Sequence, residues 1–346
     1  MKNPAGMILR VWTALLIALA QVCPVPASAQ GTITLVATGS SLPEPLYVAW
    51  GDEYHKAHSD VQVRYLPEGT AESAVRILAG NGDFGGGDAP IPEKQLKDAS
   101  HPVVELPSIL IGIAVIYNLP GASDVRLSGP VLANIFLGKV TSWHDPEIAK
   151  LNPFTRLPDV AIKVVHRTDG KGSSYIFSDY LSKVSPEFQS KVGRSVSPKW
   201  PVGAAFGRTP DLIDAVHKTA GAIGYTELNW AEKSGLSSVA VKNIAGEFVR
   251  PNPRSIEEAA TSLESKMGED FRVSLTNAPG KESYPIASFT WFYVPVRAGD
   301  PQRGKAVADF LNWVYADGQK IAQGRGYAAL PSSVLQKVKS KVNLLR

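Results

Sequence analysis

The residues from Arg167 to Leu181, RTDGKGSSYIFSDYL, combine charge, a turn and a helix start within a few positions. Apolar residues recur with helical spacing from Ile176 onward, which predicts a helix beginning near Ser173 or Ser174. A helix start offers unpaired N–H groups and the positive end of the helix dipole. With glycines that admit a ligand, hydroxyl donors and an arginine, the stretch is suited to holding an oxyanion. An ordinary capped helix with a surface Arg–Asp pair is the alternative interpretation.

Two other predicted strand-to-helix junctions carry hydroxyl groups. The sequence TGSS follows a predicted strand at 32–37, and Thr70 follows a predicted strand at 61–65. Prolines after TGSS suit the first turn of a helix. The hydroxyls of Ser40 and Ser41 could donate to an anion or could only cap that helix, and the residues alone leave both possibilities open.

Asp88 ends the glycine-rich sequence GDFGGGD. Consecutive glycines leave the backbone open to close approach by another group. An aspartate in such a turn is either a solvated turn residue or an acceptor in a site. Both interpretations stay open at this point.

Patterns typical of enzymes are missing from the sequence. The six histidines are scattered without an HExxH motif, and the single cysteine has no partner, which argues against zinc. The sequence around Lys171 is not a phosphate-binding P-loop, because Val165 stands where the first glycine belongs and Gly172 replaces the hydroxyl residue. No G-x-S-x-G sequence occurs. We therefore expect binding rather than catalysis, with no metal and no cofactor.

Length and composition indicate a globular protein. The chain has 346 residues, of which 44% are hydrophobic and 20% charged, and this length suggests two globular units. Without Lys2 and Arg10 of the amino-terminal segment, 34 of the 36 basic residues remain against 32 acidic ones. This balance does not favour nucleic-acid binding. Predicted strands alternate with helices, which is typical of an α/β fold with largely parallel sheets.

Residues 1–29 have the pattern of a secretory signal peptide. Basic residues precede an apolar run at 11–20, and the sequence ASA supplies a cleavage site after Ala29. Cys23 lies inside this segment, so the mature chain would contain no cysteine. A lipid anchor on Cys23 would need a small residue before it, whereas Val22 stands there. We expect a soluble protein outside the cytoplasmic membrane.

Taken together, these junctions resemble those of the phosphate-binding proteins of bacterial phosphate ABC importers, the Pst-type substrate-binding proteins. The resemblance covers almost the whole mature chain, and it lies in the sequences SSLPEPLYVAW, GDFGGGDAPI, LGKVTSWHDPEI, KLNP, VVHRTDGKGSSYIFSDYL, SPKWPVG, GAIGYTE and GYAALP. It implies a type II periplasmic binding protein fold, in which two α/β lobes joined by two crossover strands close on dehydrated phosphate.

The resemblance also implies a domain organisation and partners. The apolar stretches at about 109–117 and 288–296 would be the crossovers. Lobe 1 would then consist of residues 30–108 plus 290–346, and lobe 2 of residues 109–289. The protein would be a periplasmic monomer without enzymatic activity that captures inorganic phosphate. It would deliver the phosphate to an ABC permease in the cytoplasmic membrane, which works with a cytoplasmic ATPase.

The family's ligand groups can be transferred position by position. They would be Ser41, the backbone N–H of Leu42, Thr70, Asp88, Arg167, Lys171, Gly172 and Ser173. Asp169 would orient Arg167. Lys171 departs from the family, which commonly has a serine hydroxyl there. Its ammonium could act as the donor and favour dianions, or it could point to solvent.

Within this resemblance, Asp88 would provide selectivity. A buried carboxylate repels an anion unless the ligand donates a proton to it. Phosphate carries such a proton near neutral pH and sulfate does not, so Asp88 would select against sulfate. The alternatives are a receptor for another protonated oxyanion such as arsenate, a sensor component, or a secreted phosphatase.

Overall fold

The structure, a computed structural model, describes residues 31–168, 170–296 and 299–345. The predicted signal peptide and Asp169 lie outside the described residues. From Thr32 onward the chain forms one unit, in which two α/β lobes share a continuous sheet.

The strands within the described residues alternate with helices as predicted. They are β1 (Ile33–Gly39), β2 (Val61–Leu66), β3 (Phe84–Gly87), β4 (Val103–Asn118), β5 (Arg126–Leu127), β6 (Lys163–Arg167), β7 (Ala204–Phe206), β8 (Ala222–Glu227), β9 (Ser237–Ser238), β10 (Ala240–Lys242), β11 (Phe248–Val249) and β12 (Ala287–Pro295).

The α-helices include those predicted after the hydroxyl-rich junctions. They are α1 (Glu44–Ala57), α2 (Thr70–Leu78), α3 (Glu93–Lys97), α4 (Gly129–Phe136), α5 (Pro146–Leu151), α6 (Gly172–Val184), α7 (Pro186–Lys191), α8 (Thr209–Lys218), α9 (Leu228–Ser234), α10 (Pro253–Thr261), α11 (Pro301–Trp313), α12 (Gln319–Gly324) and α13 (Ser332–Val342). A π-helical turn, Val314–Gly318, joins α11 to α12.

The main sheet runs in the order β2-β1-β3-β12-β4-β8-β6-β7, with β9 paired to β4. In lobe 1, β1 pairs in parallel with β2 and β3. In lobe 2, β6 pairs in parallel with β7 and β8. The pairs that β12 forms with β3 and β4, and β4 with β8, are antiparallel. The sheet is therefore parallel among β1, β2 and β3 and among β6, β7 and β8, and it is antiparallel where β12 and β4 join these two sets. A separate small sheet has the order β11-β10-β5.

The strand β4 connects the two lobes. Its first part pairs with β12 as far as Gly112, and its last part pairs with β8 from Ile113. The sixteen residues of β4 are almost entirely buried, as expected for a strand covered on both faces. The change of partner occurs a few residues after the predicted boundary at 108/109, and the lobe boundaries stay a prediction.

The main hydrophobic core follows this sheet through both lobes. Tyr47 stacks on Trp50 with 5.2 Å between the ring centroids, and Phe177 stacks on Tyr225 at 4.5 Å. Tyr47 also packs against Tyr65, whose hydroxyl donates to the Ser40 carbonyl, and the Tyr225 hydroxyl shares a hydrogen bond with Ser174 near the start of α6. Aromatic packing therefore supports the backbone on each side of the cleft.

One face of α2 differs from the expectation. The spacing of Ala71, Ala74, Val75 and Leu78 predicts that these residues point inward, but Val75 is 65% exposed. Ala74 is buried as predicted, and Ser73 and Ile77 are buried in place of Val75. The Ser73 hydroxyl donates to the carbonyl of Thr38 at 2.7 Å, so the buried face of α2 includes a polar contact with β1.

Candidate functional site

Three strand ends form the lobe 1 wall of the cleft. Ser40 and Ser41 follow β1, Thr70 follows β2, and Asp88 follows β3. Because β1, β2 and β3 are parallel neighbours, their carboxyl ends meet at one edge of the sheet. Residues separated by almost fifty positions in sequence thereby become neighbours.

Asp88 is fully buried, with 0% of its surface exposed, so it is not a solvated turn residue. Its Oδ2 accepts a short hydrogen bond from the Ser40 hydroxyl, and its backbone N–H donates to Thr70 Oγ1 at 3.2 Å. Oδ1 has no hydrogen-bond partner among the described residues. Asp88 thus has one carboxylate oxygen held by the protein and one free acceptor.

Burial dominates the electrostatics of Asp88. It raises the pKa of this carboxyl from 3.8 to about 7, because a charged group is poorly solvated in the interior, while the Ser40 hydrogen bond and the Arg167 charge oppose the rise in pKa. The carboxyl group therefore changes charge close to neutral pH. Above that range it accepts hydrogen bonds only; below it, it also donates one.

The lobe 2 wall is built around Arg167, the last residue of β6 and 3% exposed. Its guanidinium donates to the carbonyl of Phe206 at 3.2 Å, the carbonyl of Gly207 at 2.6 Å and Thr209 Oγ1 at 2.6 Å. A guanidinium has five N–H groups, so one N–H on each terminal nitrogen remains. Burial lowers the pKa of Arg167, but an arginine keeps its charge in proteins.

The start of α6 brings the two walls together. A Cβ built on Gly172 would lie 2.5 Å from Thr70 Oγ1 and would also overlap the Asp88 carboxylate. Only glycine allows this approach. Ser173 follows it, 1% exposed, and its hydroxyl has no partner among the described residues. The helix begins one residue before the predicted Ser173.

Lys171 does not point freely into solvent, and its contact with the ligand stays a prediction. It is half-buried, and its Nζ donates to the carbonyl of Glu68 across the cleft at 3.2 Å. The Glu72 carboxylate lies near Lys171 Nζ. A Cβ built on Gly69 would contact both groups. Gly69 itself has a φ of 135°, which favours glycine. A backbone hydrogen bond from Ala71 N to Gly170 O at 3.4 Å joins the lobes beside them.

Two other sequence-predicted groups lie at the lobe 1 wall. Ser41 is half-buried. The backbone N–H of Leu42 donates to Ser40 Oγ at 3.1 Å. Asp169, predicted to orient Arg167, lies outside the described residues. Within the described part of the chain, two backbone carbonyls and Thr209 orient the Arg167 guanidinium. The role of Asp169 in orienting it stays a prediction.

The sequence analysis did not predict how three residues interact with the charged groups of the site. Ser40 contacts Asp88 directly, although the TGSS sequence had marked it only as a possible donor or cap. Thr209 is the first residue of α8 and reaches Arg167 from more than forty positions away. Glu227 is fully buried, and burial raises its pKa to about 8, with the charge of Asp88 adding to the rise. Its place at the end of the GAIGYTE sequence was its only signal.

The site combines donors and acceptors of complementary kinds. Arg167 and Ser173 offer N–H and O–H donors, and Thr70 accepts from Asp88 while keeping its own hydroxyl proton. Asp88 offers the acceptor. Such a set can hold a tetrahedral oxyanion by hydrogen bonds from both lobes, provided that the ligand presents a proton to Asp88.

The described residues contain no cluster of three or more histidine, cysteine, aspartate or glutamate side chains placed to hold a metal ion. Among the same residues, no helix combines the length and the apolar character needed to cross a membrane.

Comparisons with known proteins agree with this architecture. A sequence model of the PBP superfamily domain matches residues 24–318. The phosphate-binding protein PstS of Pasteurella multocida is 37% identical over 310 residues, covering 89% of this chain and 89% of that protein. PstS of Xylella fastidiosa (strain Temecula1) is 35% identical over 319 residues, covering 91% of this chain and 87% of that protein.

A solved structure extends the likeness to three dimensions. The X-ray crystal structure of a phosphate-binding protein from Stenotrophomonas maltophilia matches with a TM-score of 0.70 and 19% identity, covering 89% of this chain and 94% of that one. The predicted two-lobed type II periplasmic binding protein fold is thereby confirmed. From the extent and identity of the sequence matches, the chain belongs to the PstS family of phosphate-binding proteins.

Proposed function

We propose that this protein is a periplasmic receptor that binds inorganic phosphate between its lobes and delivers it to an ABC importer. Its relatives in Pasteurella multocida and Xylella fastidiosa are phosphate-binding proteins. A structural neighbour from Clostridium perfringens is a putative phosphate ABC transporter substrate-binding protein with bound phosphate. The partner is a permease in the cytoplasmic membrane with its cytoplasmic ATPase, and the receptor acts as a monomer.

One observation carries the proposal: a buried acceptor, Asp88, and a buried cation, Arg167, come from different lobes and are close enough for their charges to interact. Arg167 keeps two N–H groups, while Asp88 Oδ1 has no partner among the described residues. The ligand that satisfies both is an anion carrying a proton. Hydrogen bonds to charged groups contribute roughly 1.5 to 3 kcal/mol each, so several of them outweigh the cost of removing the anion from water.

The proposed ligand groups come from both lobes, so binding favours the closed form. Lobe 1 supplies Ser41, Thr70, Asp88 and the N–H of Leu42, which would exchange its hydrogen bond to Ser40 Oγ for one to the ligand, and lobe 2 supplies Arg167, Lys171, Gly172 and Ser173. The site needs no nucleophile or metal for this task, and we infer that the protein releases its ligand unchanged.

Calorimetric titration of the ligand-stripped protein with phosphate, arsenate and sulfate tests this function. We expect tight, one-to-one binding of phosphate and far weaker binding of sulfate. Tighter binding of arsenate than of phosphate would favour the alternative oxyanion receptor. Hydrolysis of a generic phosphate ester by the pure protein, abolished in Arg167→Ala, would favour the phosphatase instead.

A further inference from the structure

Ser40 lies beside the proposed ligand site and is held firmly in place. Its backbone N–H donates to the carbonyl of Gly86 at 3.1 Å, and its carbonyl accepts from the Tyr65 hydroxyl at 2.7 Å. The residue is 3% exposed. Neighbouring strands thus fix the position from which the Ser40 side chain reaches Asp88.

The hydrogen bonds around the Ser40 hydroxyl have a defined direction. Ser40 Oγ accepts from the backbone N–H of Leu42 at 3.1 Å. Its own proton is directed to Oδ2 of Asp88. This arrangement occupies one carboxylate oxygen and leaves the other, Oδ1, buried and without a partner among the described residues.

We propose that Ser40 is a positioning residue that sets phosphate selectivity: its hydroxyl donates to one oxygen of Asp88 and keeps this carboxylate a proton acceptor for the ligand. The inference rests on the proposed phosphate-binding function and refines it. Ser40 acts through Asp88 and not through a contact with the anion.

Several ionisable groups surround Asp88 and contribute to its charge. Arg167 on β6 favours the ionised carboxyl. The negative charge of Asp88 in turn contributes to raising the pKa of four neighbouring groups. They are Glu227 on β8, Tyr47 on α1, Tyr65 on β2 and Tyr293 on β12. Among these neighbours and Ser40, only Ser40 and Arg167 counteract the effect of burial on the pKa of Asp88.

Loss of the Ser40 hydroxyl therefore has a specific consequence. Asp88 would keep its proton to a higher pH, because its ionised form loses a hydrogen bond. A protonated Asp88 donates a hydrogen bond and can bind sulfate, which has no proton to offer. Selectivity against sulfate would then appear only at higher pH than in the wild type.

The test measures sulfate affinity from pH 5.5 to 9 by calorimetry. In the wild type, sulfate affinity falls as the pH rises through the range in which Asp88 ionises. In Ser40→Ala we expect the midpoint of this fall to move upward by about one pH unit. Ser41→Ala is the matched control, which lowers the affinity for phosphate and sulfate alike and leaves the midpoint in place.

Two further variants distinguish the proposed role of the Ser40 hydroxyl from a folding defect. Ser40→Thr keeps the hydroxyl and should retain the wild-type midpoint. Ser40→Cys keeps the volume but weakens the donor, so its midpoint must also move upward. An unchanged midpoint in Ser40→Ala and Ser40→Cys, with phosphate binding intact, overturns the inference. Absence of phosphate binding in the wild type would instead refute the proposed function.

Discussion

The two walls of the cleft hold buried charges in different ways. On lobe 2, Arg167 gives three N–H groups to carbonyls and a hydroxyl, which fix its orientation. On lobe 1, Asp88 is held by Ser40 alone through its side chain, and one oxygen has no partner among the described residues. If the protein binds phosphate as proposed, Arg167 attracts any small anion, whereas Asp88 repels those that carry no proton. On this proposal, affinity and selectivity reside on opposite lobes.

Removing the lobe 2 charge has the largest expected effect. In Arg167→Ala the anion loses its cation, and the carbonyls of Phe206 and Gly207 lose their donors. Breaking one partner of a buried charged pair costs about 3 to 5 kcal/mol, so phosphate affinity should fall by at least a hundredfold in calorimetry. Arg167→Lys keeps the charge and should recover part of the affinity. Wild-type affinity in the alanine variant would contradict the role of this wall.

Removing the lobe 1 charge should stabilise the ligand-free protein. Because burial raises the pKa of Asp88 from 3.8 to about 7, the folded state binds this proton more tightly than the unfolded state. Asp88 therefore costs stability progressively as the pH rises from about 4 to about 7, and the full cost remains above that range. Asp88→Asn removes a cost of up to about 4 kcal/mol at pH 8 and less than about 1 kcal/mol at pH 4, where the unfolded-state carboxyl is only partly ionised.

Urea unfolding of ligand-free Asp88→Asn and wild type at both pH values measures this difference. Asp60→Asn, at an exposed turn, controls for the loss of one carboxylate. An equal difference in unfolding free energy at pH 4 and pH 8 would show that Asp88 is not the destabilising charge described here.

The smallest expected effect concerns the contact between the walls. Lys171→Met removes the hydrogen bond from Nζ to the carbonyl of Glu68. For a half-buried lysine this bond contributes about 1 kcal/mol, so phosphate should dissociate several-fold faster in stopped-flow measurements. Lys320→Met, an exposed lysine paired with Asp317, is the control. A change in the preference for dianionic phosphate would place the ammonium on the ligand instead.

Much of the fold follows from local patterns in the sequence. The helix after RTDGK begins at Gly172, because glycines, serines and helical spacing coincide there. The apolar stretch predicted at about 109–117 lies within the buried strand β4, and the one at about 288–296 matches β12 to within one residue. These features depend on residues that are neighbours in the sequence, so local patterns are enough to predict them.

Contacts between distant residues could not be predicted in this way. Val75 has the spacing of an inward residue, but Ser73, bonded to Thr38, and Ile77 occupy the buried face of α2. Lys171 reaches Glu68 only because the lobes meet at that point. Ser40 was recognised as a hydroxyl near the site, yet its bond to Asp88 depends on the parallel pairing of β1 and β3. Side-chain partners across elements need the packed structure.

One measurement tests most directly the proposal that Arg167 provides affinity and Asp88 provides selectivity. Phosphate and sulfate affinities of wild type and Asp88→Asn are compared by calorimetry at pH 8, where Asp88 is ionised. We expect the asparagine variant to bind sulfate much more tightly than the wild type, so that the preference for phosphate narrows by at least tenfold. An unchanged ratio of the two affinities would contradict the assignment of selectivity to Asp88.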